Sequence, residues 1–137
     1  MTGFSITTSA GEVIRFLCYI DAAPLTSQAF LKSLPFTGFF LHARVSGQEI
    51  WTERPPQLDI MQENSTLLAE PGEVAIGPLK PKRNKVAGLM GIFYGEGKLV
   101  DGGNIFARVV EEDLALLRAL GDKIWKQGGQ ELKFEKL

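Results

Sequence analysis

One histidine and one cysteine are all that this 137-residue chain offers for imidazole or thiol chemistry. A single cysteine excludes an intramolecular disulfide. One His and one Cys make no zinc site unless several carboxylates join them, so neither a metal nor a cofactor is expected. Cys18 lies in the run Val13-Ile14-Arg15-Phe16-Leu17-Cys18-Tyr19-Ile20, in phase with Ile14, Phe16 and Ile20. It reads as a small buried hydrophobe rather than a nucleophile, because nothing nearby in sequence would lower its pKa. An excess of one charge is also missing. The 15 Lys and Arg against 16 Asp and Glu leave a net charge of −1. Nucleic-acid binding driven by bulk electrostatics needs a concentrated basic surface and is not expected. The one basic cluster, Lys80-Pro81-Lys82-Arg83 with Lys85 beyond it, reads as a solvated loop or, alternatively, as a contact for a small anion. No apolar run is long enough to cross a bilayer, so no membrane partner is expected. Met1–Ala10 lacks a basic segment followed by an apolar one, which gives a cytoplasmic location as the expectation.

What is present is material for a core. Hydrophobic residues make up 45% of the chain, enough at this length for a single domain spanning residues 1–137. Phe4–Ser9 and Glu12–Ile20 read as strands joined by a turn at Ala10-Gly11. Asp21-Ala22-Ala23-Pro24 starts a helix whose apolar stripe is Leu25, Ala29, Phe30 and Leu34, ending at Pro35. Arg54 to Glu70 reads as irregular, and its length makes it a candidate for packing beside a site. Glu73–Ile76 is a short strand and Gly77–Asn84 a loop. Lys85–Tyr94 reads as a long strand, Gly95–Gly103 as a glycine-rich loop without a phosphate-binding fingerprint, and Asn104–Val110 as another strand. Glu111-Glu112-Asp113 opens a second helix with charges that suit the dipole. Its buried stripe is Leu114, Leu117, Leu120 and Ile124, Trp125 is a packing residue, and Gly128-Gly129 stops it. Glu131–Leu137 closes as a strand in which Leu132 and Phe134 alternate with charged residues.

The stretch richest in chemistry is Phe39-Phe40-Leu41-His42-Ala43-Arg44-Val45-Ser46-Gly47-Gln48-Glu49-Ile50-Trp51. It reads as a hairpin turning at Ser46-Gly47. A two-residue loop pairs Arg44 with Glu49 and His42 with Trp51. Phe39, Leu41, Ala43, Val45 and Ile50, joined by Gln48, then share a core face. Phe40, His42, Arg44, Glu49 and Trp51 share an outer face, with Arg44 and Glu49 as a cross-strand ion pair.

Many strands with one early and one late helix do not make repeated βαβ units. They suit a closed, mostly antiparallel barrel covered by helices. Ala23-Pro24-Leu25-Thr26-Ser27-Gln28-Ala29-Phe30 resembles the first helix of cyclophilins. The Phe40–Val45 strand resembles the one that carries their catalytic Arg, and Val100-Asp101-Gly102-Gly103-Asn104-Ile105-Phe106-Ala107-Arg108-Val109 resembles their Asp-Gly loop and the strand after it. The match is closer still to small stand-alone cyclophilin-like proteins of prokaryotes, largely uncharacterised. They share the patterns Leu34-Pro35-Phe36, Ser46-Gly47-Gln48-Glu49-Ile50-Trp51, Glu63-Asn64, Phe93-Tyr94-Gly95 and Asn104-Ile105-Phe106.

The resemblance implies a mainly β fold: a closed, eight-stranded antiparallel barrel capped by two α-helices. It also implies a packed interior, with Leu41, Ala43 and Val45 pointing inward and the outer hairpin face lying in a binding groove. Arg44 takes the position of the catalytic Arg. The cyclophilin groove Trp and His have no counterpart; Lys98-Leu99 and Asn104 stand near their positions, and His42 replaces a Phe. The expected site is therefore His42, Arg44, Glu49, Trp51, Tyr94 and Asn104, holding a small carboxylate-bearing or amide ligand or a peptide segment. The alternatives are a peptidyl-prolyl isomerase or another acid–base enzyme using His42 and Glu49, and a face that only joins copies of the chain into a homo-oligomer.

Overall fold

Alternation of large apolar residues builds the first walls of the molecule. Phe4 and Ile6, Ile14 and Phe16, and Leu132 and Phe134 are fully buried pairs two residues apart, each on its own strand. The structure, a computed structural model, describes residues 2–137. Its elements are β1 (Gly3–Thr7), β2 (Val13–Cys18), α1 (Pro24–Lys32), β3 (Phe36–His42), β4 (Gly47–Thr52), β5 (Ser65–Ala69), β6 (Glu73–Ile76), β7 (Met90–Val109), α2 (Leu114–Gln127) and β8 (Gln130–Lys136). One 3-10 turn, Glu111–Asp113, leads into α2.

All eight strands belong to one sheet. Its order is β2-β1-β8-β3-β4-β7, and β2 pairs with β7 to close the ring. β5 and β6 bond to β7 beside that ring. β7 is 20 residues long. Its two arms flank β6, so that Val74 pairs with both Ile92 and Ala107. The fold is thus mainly β, a closed antiparallel barrel with two helices, as expected. Closure leaves few free strand edges. Among the described residues, no helix is long and apolar enough to cross a membrane.

Phenylalanine fills the interior. Phe30 of α1 lies 4.9 Å from both Phe4 and Phe106, ring centre to ring centre, and Phe36 stacks on Phe134 at 4.4 Å. Aromatic pairs of this kind contribute roughly 0.5–1.5 kcal/mol beyond area burial. The buried face of α1 is Thr26, Ser27 and Phe30, whereas Leu25 is 62% exposed, contrary to the predicted stripe. The polar residues are tolerated because their hydroxyls are bonded. Thr26 Oγ1 donates to Glu63, and Ser27 Oγ donates to the Phe106 carbonyl. Glu63 also accepts from the backbone N–H groups of Leu25 and Thr26, capping a helix whose Ala23 has no side-chain cap to give.

Other expectations change as well. Ser65–Ala69 is a strand inside the stretch read as irregular. Met90–Val109 runs continuously through the stretch read as a glycine-rich loop, because β4 and β5 both pair with it there, at Gly97. Residues 85–88 form turns, and the strand begins only at Met90. Cys18 is half-buried against the core, where burial pushes its thiol pKa up. Ile20 has already left the sheet.

Candidate functional site

The hairpin forms, but in another register. Leu41 pairs with Trp51 and His42 with Ile50, and the Ala43 N–H donates to the Glu49 carbonyl. The loop is longer than the two residues assumed, and a one-residue slip exchanges which side chains stand opposite each other. Phe40, Ile50 and Thr52 are buried, while Phe39 and Leu41 are exposed. The face assignment of β3 is therefore inverted. Leu41 and Trp51 form the outer pair, and His42 turns toward the barrel end. The expected Arg44–Glu49 ion pair is absent among the described residues.

An apolar groove of about 680 Å³ runs along this outer face. Leu41, Trp51, Leu89, Met90, Leu99 and Trp125 supply much of its wall, and His42, Arg44 and Glu49 its charged or titratable groups. The His42–Val45 segment also borders a second, more polar cleft that includes Tyr94, Arg118 and Asp122. Four of the expected site residues, His42, Arg44, Glu49 and Trp51, thus line one groove. Tyr94 lies behind His42, in the second cleft.

Asn104 lies apart from both. It is fully buried and bonded on every side: it accepts from the Glu63 N–H and donates to Thr26 Oγ1 and the Met61 carbonyl. Its role is to tie β7 to α1 and to the long 53–64 segment. The sequence offered no way to tell this Asn from a ligand-binding one, since its partners are 41 to 78 positions away.

His42 is fully engaged. Nδ1 lies 2.7 Å from the Ala43 carbonyl, which only accepts, so Nδ1 carries the proton. In the neutral ring Nε2 then accepts from the Tyr94 hydroxyl at 2.6 Å. The ring also packs against Trp125 with centroids 4.6 Å apart. Tyr94 reaches this position because residue 121 of α2 is glycine; a Cβ there would collide with the phenol ring. Trp125, expected as a packing residue, is 62% exposed and lines the groove. Its phase could have revealed this, since it falls one residue past the buried Leu117–Leu120–Ile124 stripe.

Glu49 is the electrostatic anomaly of the groove. Burial pushes its carboxyl up to about 7, and a hydrogen bond from the Ser46 hydroxyl offsets this only in part. The carboxylate sits over Gly91, where any side chain would strike it. Neither Ser46 nor Gly91 stood out in the sequence as a site residue.

Several solved structures share the fold. McbB in complex with tryptophan superposes with a TM-score of 0.73 at 17% identity, over 96% of this chain and 44% of McbB. The chain therefore spans under half of that protein. The hypothetical protein AF2241 from Archaeoglobus fulgidus gives 0.65 at 18% identity, over 99% of this chain and 95% of its own. A cyclophilin-type peptidyl-prolyl cis-trans isomerase of Cryptosporidium parvum, in the presence of the dipeptide Ala-Pro, gives 0.58 at 19% identity, over 85% of this chain and 84% of its own. At these identities the likeness is one of fold, and the fold shared with the isomerase is cyclophilin-like. No curated protein sequence matches the chain. A family model described as "Protein of unknown function (DUF3830)" matches residues 6–136, and the chain belongs to that family.

Proposed function

We propose that the groove beside the 39–51 hairpin binds a small ligand bearing a carboxylate or amide, or a peptide segment with such a group. The observation that carries this reading is Arg44. Its side chain borders an apolar groove, and among the described residues no carboxylate pairs with it. A guanidinium presents a planar fork that matches a carboxylate bidentately and an amide oxygen singly. Grooves of this volume with few convergent polar groups are the usual form of small-molecule sites. The tryptophan held by McbB is a molecule of the proposed kind, with a carboxylate on an apolar body. His42 contributes position rather than a free nitrogen, since both ring nitrogens are bonded within the protein.

A thermal-shift screen of small carboxylates and amides tests this, because a ligand specific to the folded state raises the melting temperature. Hits should shift the wild-type protein and shift Arg44→Ala much less. Equal shifts in both proteins would move the binding site away from the groove.

The second reading is proline isomerisation. It is favoured by the shared fold with a cyclophilin-type isomerase and by the position of Arg44 two residues past the end of β3. Such an Arg would donate toward the prolyl nitrogen and weaken amide resonance, against an uncatalysed barrier of roughly 18–20 kcal/mol. A peptide isomerisation assay decides: activity lost in Arg44→Ala supports it, and equal background rates in both proteins reject it.

A further inference from the structure

The groove holds a guanidinium and a carboxyl that do not pair with each other. Among the described residues no carboxylate lies within ion-pair reach of Arg44, and no cation lies within reach of Glu49. The Glu49 carboxyl is half-buried, with Ser46 on one oxygen and the Cα of Gly91 beneath the other. An ionised group withdrawn from water without a counter-charge is costly, and a ligand that brings the counter-charge removes that cost. The titratable or charged side chains facing the groove are His42, Arg44 and Glu49. β6, β7, the 77–89 segment and α2 contribute none, and His42 is occupied by Ala43 and Tyr94.

We propose that the ligand of this groove is a zwitterion with an apolar body, such as an apolar amino acid or short apolar peptide, its ammonium on Glu49 and its carboxylate on Arg44. This rests on the reading that the groove is the binding site, and it adds which groups the ligand must carry. Two consequences follow from the chemistry. An ammonium on Glu49 favours the ionised carboxyl, so binding near neutral pH releases protons and tightens as pH rises. If Glu49 instead stayed protonated and donated to a ligand carboxylate, binding would take up protons and weaken as pH rises.

Isothermal titration calorimetry of the full chain with four probes separates these cases. The probes are phenylalanine, the dipeptide leucyl-phenylalanine, 3-phenylpropionate (which lacks the ammonium) and phenethylamine (which lacks the carboxylate). At about pH 8 one of the zwitterions should bind roughly tenfold or more tightly than 3-phenylpropionate, the scale of one charge-assisted hydrogen bond. That advantage should shrink toward about pH 6 as Glu49 gains its proton. Which zwitterion binds distinguishes a free amino acid from a peptide. Glu49→Gln should reduce the zwitterion to the level of 3-phenylpropionate, and Arg44→Ala should reduce it to the level of phenethylamine. Gly91→Ala keeps the charge but displaces the carboxyl, and it should mimic Glu49→Gln. A 3-phenylpropionate affinity equal to or above that of both zwitterions, tightening as pH falls, overturns the zwitterion while leaving a carboxylate site in the groove. If no probe binds the wild-type protein, the zwitterion and the groove reading fall together.

Discussion

Replacing Glu49 with Gln tests the energetics of the groove without any ligand. Burial raises this carboxyl from an ordinary 4.5 to about 7, so the folded chain holds a proton that the unfolded chain releases between those values. Below 4.5 both states are protonated and the burial costs nothing. The penalty grows as pH rises from 4.5 through 7 and is constant beyond. With about 1.4 kcal/mol for each pH unit between the two values, the ionised side chain costs the fold about 3 kcal/mol above neutrality. Gln keeps the size and an acceptor for the Ser46 hydroxyl, and it carries no charge. The variant should therefore be about 3 kcal/mol more stable than the wild-type protein near pH 8, and within about half a kcal/mol of it near pH 4.5. For a chain of 137 residues this is a melting-temperature gain of about 10 °C at the higher pH. Scanning calorimetry at the two pH values measures the difference. A shift that is the same at both, or a carboxyl titration by NMR with its midpoint below about 5, would show that the carboxyl is solvated and refute the reasoning.

Three further outcomes are expected. Gly121→Ala gains about 1 kcal/mol of helix propensity but drives a methyl into the Tyr94 ring. It should lose about 1–3 kcal/mol net by urea denaturation, and an unchanged or higher midpoint would contradict the packing. Asn104→Ala removes the hydrogen bonds to Glu63, Thr26 and Met61, and it should cost about 2–4 kcal/mol. It should also speed protease cutting within residues 53–64, and a wild-type cutting rate would argue against the tie. Asp113 accepts two bonds from the Arg15 guanidinium and one from its backbone N–H, which hold its carboxyl below the ordinary 3.8. Its stabilising effect is present above 3.8 and is lost as pH falls through the lower folded value. The deficit of Asp113→Asn should therefore be largest at neutral pH and disappear in acid, and a pH-independent deficit would refute the ionic account.

The parts of the fold that were legible in the sequence are those where burial follows the local period. Leu132 and Phe134 alternate with charged residues and lie inside; Leu117, Leu120 and Ile124 recur at helical spacing and do the same. β5 was hidden because its Leu67 and Leu68 are both exposed, so its apolar residues do not alternate with burial. The continuity of β7 was hidden for a related reason. Gly95, Gly97, Gly102 and Gly103 give no local preference for a strand, and the hydrogen bonds that make one come from β4 and β5, between 28 and 50 residues away. α1 misled in the opposite direction. Thr26 and Ser27 are polar yet buried, because Glu63 and the Phe106 carbonyl satisfy them from distant parts of the chain.

The hairpin shows most sharply where period stops being informative. Alternation correctly grouped Phe40 with His42, Phe39 with Leu41, and Glu49 with Trp51. It could not say which group of β3 faces inward, and polarity gave the wrong answer. His42 can turn inward because the Ala43 carbonyl and the Tyr94 hydroxyl meet both of its nitrogens. Leu41 can stay outside because it stands beside Trp51 as one wall of a groove. The inversion changes the chemistry that the site can perform. An outer face of His42, Arg44 and Glu49 would have been a solvated, self-neutralising cluster. With Leu41 in place of His42 and the register slipped by one, the face is apolar, and Arg44 and Glu49 no longer stand opposite each other. Among the described residues neither has a counter-charge within ion-pair reach.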